Sequence, residues 1–171
     1  LEHMIHEGRW KEFIREIPIK PGDFIQIDPG TVHAIKGGTL LLETQQSSDI
    51  TYRVYDYDRL SNGKPRQLHI VQSIDVITVP AKSAENSVVH TEEKEDAIQQ
   101  LIRCPYYTVY RIDVEHRVET WQDKPFVLMS VVEGEGTLNG TPLKKGDHLI
   151  LPDGYGKVEL QGRMQIIAST I

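Results

Sequence analysis

Cysteine is almost missing from this chain. Cys104 is the one thiol among 171 residues, so no internal disulfide and no cysteine-built zinc site can form. A lone cysteine of this kind reads as a small core residue. An excess of positive charge is missing too: 19 Lys and Arg face 25 Asp and Glu, a formal net charge of -6. That balance argues against nucleic acid or an anionic membrane as the main partner, while leaving room for a few cations around one small anion. No apolar run approaches the roughly 20 residues of a membrane-spanning helix. The first residues lack the charged start and apolar stretch of a secretion signal, and no glycine-rich phosphate loop occurs. These absences lead us to expect a cytoplasmic protein.

What is present is ordinary for a globular protein: 39% hydrophobic and 26% charged residues, with length for one or two small domains and a real core. Trp10, Phe13, Ile14 and Ile17 stand at helical spacing, so 5–17 is predicted as an amphipathic helix ended by Pro18. Short strands are predicted at 24–27, 32–35, 39–43 and 50–57, with turns at 20–23 and 28–30. Residues 58–66 read as a loop and 67–77 as a short helix. The polar stretch 80–96 has no periodic apolar face. Beyond it only strands are expected, at 98–103, 106–115, 126–133, 136–138, 148–151, 158–160 and 164–168.

Two segments repeat each other across that polar stretch. The first runs from Lys20 through Gly22-Asp23, a short apolar strand and Asp28-Pro29-Gly30 to His33. The second runs from Lys144 through Gly146-Asp147, a short apolar strand and Pro152-Asp153-Gly154 to Lys157. The position three residues after the second glycine holds His33 in one copy and Lys157 in the other. A neutral imidazole is a good zinc ligand and an ammonium is not, so one copy is equipped for metal and the other is silent. Around His33 the polar groups Glu43, Gln45, Asp49 and Arg53 concentrate. Each also has a plainer role: Glu43 as a strand end meeting solvent, Asp49 as a turn cap, Arg53 as a cross-strand ion pair.

The repeat resembles the second motif of the cupins, double-sheet jelly rolls. The runs GTVHAI (30–35), LLETQQSSDITYRVYDYDR (41–59) and QLHIVQSIDVI (67–77) resemble type I mannose-6-phosphate isomerases in their Gram-positive bacterial form, and the likeness covers nearly the whole chain. The resemblance implies a mainly β fold: the C-terminal half of a catalytic cupin domain at 1–80, a linker at 81–96 and a second, metal-free cupin-like domain at 97–171. It also implies interconversion of mannose 6-phosphate and fructose 6-phosphate, a small-molecule sugar phosphate as partner, and zinc as cofactor with His33 as a ligand. Glu43 and Asp49 would line the site, and Arg53 would stand at the substrate, either stabilising charge or binding phosphate.

The family's other zinc ligands, a Gln-x-His pair and a Glu, have no counterpart here. The chain alone is therefore expected to be inactive and to hold zinc weakly or not at all. Sheet edges left without neighbours would favour self-association. A non-enzymatic carbohydrate or phosphosugar-binding cupin module is the alternative, with a fragment of a guanylyltransferase/isomerase fusion a weaker third.

Overall fold

The structure is a computed structural model and describes residues 2–48, 50–57, 59–83 and 87–171. Two compact units divide it, 1–88 and 89–171. None of its helices is long and apolar enough to cross a membrane.

The first unit has little regular structure. In place of one helix over 5–17 there are α1 (Glu2–His6) and a single 3-10 turn (Trp10–Glu12). Gly8 lies between them at φ +67, a left-handed conformation that ends a helix. Trp10 instead stacks on Tyr55, ring centroids 5.0 Å apart, and Tyr55 meets Tyr57 at the same distance. The aromatic spacing read as a helix face thus serves a ladder to a distant segment.

Strand β1 (Phe24–Ile25) pairs with β4 (Val88–Val89), and Gln26 N–H donates to Ser87 O at 2.8 Å. The strands expected at 32–35, 39–43 and 50–57 do not form among the described residues. A strand exists through a neighbour's hydrogen-bond ladder; alternation of apolar residues only says which face such a ladder would bury. Here that face stays open: Leu40 is 96% exposed and Ile50 66%. The expected loop at 58–66 contains a hairpin instead, β2 (Leu60–Ser61) against β3 (Lys64–Pro65), turned by Asn62-Gly63 with φ +53 and +75. Asn-Gly supplies the two positive φ angles that a two-residue hairpin turn demands. Helix α2 (Ile70–Val76) falls where its spacing placed it.

The second unit is one antiparallel sheet folded around an apolar core. Its strands are β5 (Ala97–Arg103), β6 (Thr108–Val114), β7 (Arg117–Gln122), β8 (Phe126–Leu138), β9 (Thr141–Lys144), β10 (His148–Pro152) and β11 (Gly156–Thr170). The order is β10-β8-β11-β6-β5, with β7 on β11 and β9 on β8. The pairs read as 126–133 with 136–138 and as 158–160 with 164–168 are each one long strand, and β7 and β9 are additional. Glycines carry β8 and β11 past one another: a Cβ on Gly162 (φ +115) would sit 2.6 Å from Gly136 Cα. Leu160 and Ile166 are fully buried, with Val131, Val158 and Ile112 beside them.

Candidate functional site

The two repeated segments fold alike at their turns. In the first, Asp23 N–H donates to Lys20 O (3.2 Å) and Lys20 N–H to Asp23 Oδ2 (2.9 Å); in the second, Asp147 N–H donates to Lys144 O (3.0 Å) and Lys144 N–H to Asp147 Oδ2 (2.8 Å). Gly22 and Gly146 share φ near +90, at +88 and +91. The following turns match as well, Thr31 N–H to Asp28 O and Tyr155 N–H to Pro152 O.

After those turns the copies part. Lys157 bonds Glu119 at 2.8 Å, and that carboxylate raises the lysine's pKa, so the second copy holds an exposed ion pair at this position. His33 is exposed, and its Nδ1 lies 2.9 Å from Thr31 O. A carbonyl only accepts, so Nδ1 is the donor in this contact and Nε2 is the ring nitrogen not engaged by it, the arrangement common to metal-binding histidines. The turn before it is held by the segment just after α2: Thr78 N–H donates to Gly30 O, and a Cβ on Gly30 would lie 2.4 Å from Thr78 Oγ1.

Arg53 is the best-anchored of the expected site residues. Its backbone exchanges bonds with His69, the residue before α2: His69 N–H donates to Arg53 O (2.8 Å) and Arg53 N–H to His69 Nδ1 (3.2 Å). Its Nη1 donates to Gln67 O at 3.2 Å, and its Nε lies 3.9 Å from Asp56 Oδ1. Glu43 is exposed. Asp49 lies outside the described residues. Among the described residues no hydrogen bond or ion pair joins His33, Glu43 and Arg53 to one another.

Asp56 is a group that reasoning from the sequence passed over. It is buried, takes Arg66 through both Nε (2.6 Å) and Nη2, and takes Arg59 Nη2 at 2.6 Å. Those bonds, Arg66 first, hold its carboxyl far below the usual range against the opposing effect of burial. The Arg53-x-x-Asp56-x-x-Arg59 spacing was visible beforehand, but Arg66 arrives only across the β2–β3 hairpin.

For zinc, His33 is one competent ligand and not a set. Among the described residues the grouping of three possible ligands is elsewhere, at Glu95, Asp96 and His116, all exposed. Asp96 there already accepts the backbone N–H groups of Glu115, His116 and Arg117 at 2.9–3.0 Å, which accounts for it as a turn cap. The residues described around His33 do not by themselves fit a stable zinc site, which takes three or four protein ligands.

Residues 97–171 match the family model for the mannose-6-phosphate isomerase cupin domain. The chain is 47% identical over 175 residues to mannose-6-phosphate isomerase ManA of Bacillus subtilis, covering 99% of this chain and 55% of that protein. It is 43% identical over 176 residues to the mannose-6-phosphate isomerase of Streptococcus mutans, with the same coverage. The crystal structure of the Bacillus subtilis mannose 6-phosphate isomerase superposes with a TM-score of 0.85 at 41% identity, over 99% of this chain and 55% of that one. The chain thus spans about half the length of these relatives (55%). Across that half, with residues 97–171 matching the family model of the isomerase cupin domain, the chain is similar to mannose-6-phosphate isomerases.

Proposed function

We propose that this chain serves the interconversion of mannose 6-phosphate and fructose 6-phosphate. The reaction removes a proton from C2 of the aldose, passes through an enediolate, and returns a proton to C1. Its negative charge develops on the two sugar oxygens, where a fixed cation contributes most. The observation that carries the reading is Arg53, anchored through His69, Gln67 and Asp56 within a segment that is part of the 47% identity to a named isomerase. Its planar fork suits an enediolate or a phosphate equally. Glu43 and Asp49 are the carboxylates we put forward to carry the proton. His33, with Nδ1 on the Thr31 carbonyl, has Nε2 as the nitrogen that would hold zinc, and zinc in this family would polarise the sugar oxygens. The residues described around His33 do not complete a zinc site by themselves.

Replacing the matching 55% of Bacillus subtilis ManA with this chain tests the reading. The chimera is expected to turn over mannose 6-phosphate, and Arg53→Ala in it to lose at least about 100-fold in kcat/KM, in line with removal of a transition-state cation. A folded chimera without turnover overturns the isomerase assignment. Mannose 6-phosphate binding by the chain that survives chelation would then favour a non-enzymatic phosphosugar-binding module, which draws on the same anchored Arg53.

A further inference from the structure

We propose that Asp56 is a positioning residue for Arg53, clamped in place by Arg59 and Arg66. This rests on the placement of Arg53 at the substrate. A guanidinium on a flexible stem gains catalytic leverage only if its direction is fixed before the substrate arrives, because ordering it afterwards costs side-chain entropy. Arg53 is fixed on two nitrogens: Nη1 donates to Gln67 O at 3.2 Å, and Nε faces Asp56 Oδ1 at 3.9 Å. The first partner is backbone tied to the start of α2. The second is a side chain, and it needs fixing of its own.

That fixing comes from both directions along the chain. Arg66, the residue just past the far strand of the β2–β3 hairpin, grips both oxygens of Asp56. Arg59 donates Nη2 to Oδ1 and Nε to the Asp56 carbonyl at 3.3 Å, and its guanidinium lies 5.7 Å from the Tyr57 ring centroid. Tyr57 in turn continues the Tyr55–Trp10 ladder. The Asp56 side chain is 7% exposed and that of Arg53 is 23%. Three guanidinium groups thus surround one buried carboxylate. Arg59 and Arg66 take its short bonds, and Arg53, at the longer distance, is oriented by its charge without being neutralised by a bidentate bond. A residue meant only to neutralise Arg53 would show the reverse order of distances.

Two measurements test this. On the chain itself, the Nε–Hε NMR resonance of Arg53 reads its restraint directly. In Asp56→Asn that resonance is expected to broaden or vanish and in Asp56→Glu to return, while the amide shifts of α2 stay in place. An unchanged Arg53 resonance in Asp56→Asn overturns the proposal. So does loss of the α2 shifts in both variants, which makes Asp56 a structural residue only.

In the isomerase, Asp56→Asn is expected to lower kcat about 10-fold with KM for mannose 6-phosphate within about 3-fold, and to add less than about 2-fold to Arg53→Ala. Losses that multiply across the two sites overturn it. If Arg53→Ala leaves turnover intact, the placement of Arg53 fails instead, and the NMR arm still decides whether Asp56 restrains it.

Discussion

Asp56 is buried in a cluster that keeps it charged. Its carboxyl is held well below the ordinary range of about 4 by Arg66 and Arg59. A group whose folded pKa lies below its unfolded value adds stability above the unfolded pKa and loses it as pH falls toward the folded one. The chain carries two tryptophans, Trp10 in the first unit and Trp121 in the second, so Trp121→Phe leaves Trp10 fluorescence as a report on the first. In that background the urea midpoint is expected to drop between pH 6 and pH 3, and Asp56→Asn to flatten the drop. An equal fall in both proteins would show that Asp56 does not carry the acid response.

At the scale of elements, β8 and β11 organise the second unit because glycines let them cross. A side chain at Gly162 meets Gly136 Cα at 2.6 Å, and one at Gly134 (φ +75) meets Arg163 O at 2.1 Å. Gly162→Ala therefore combines overpacking with an unfavourable φ and is expected to cost about 3 kcal/mol. Leu160→Ala, emptying a fully buried site, is expected to cost a similar ~3 kcal/mol by cavity formation. Chemical denaturation followed through Trp121, in a Trp10→Phe background, checks both. The periodicity of 98–168 led to most of these strands because their apolar residues alternate and their partners lie close in sequence. Among the described residues of 32–57 the same alternation produced no strand. The α1 region shows a related failure, where an aromatic spacing compatible with a helix face was used for stacking on Tyr55.

For the whole molecule, the buried hydrophobic residues fall almost entirely after position 100; before it, among the described residues, Ile5 alone is in that class. Amide hydrogen exchange is accordingly expected to show strong protection in β6, β8 and β11 and fast exchange over 32–48. Slow exchange throughout 32–48 would contradict the open conformation of that segment. Leu40, Leu41, Leu42 and Ile50 are also exposed, and exposed apolar side chains favour association. Light scattering is expected to rise above the monomer mass with concentration, and a monomer at high concentration would count against it.

Local sequence was enough for the paired Gly-Asp and Pro-Gly turns, for α2, and for most strands of the second half. All of these depend on local dihedral preference or on alternation between near neighbours. Tertiary structure alone decided that Lys157 answers Glu119, that Arg53 leans on His69 and Gln67, and that Arg66 reaches Asp56 across a hairpin. Those contacts join residues up to 38 positions apart, and no local rule of propensity or period encodes which charge meets which. They depend on where the backbone places the groups, and at the buried Asp56 the cost of an unpaired charge then makes the pairing selective.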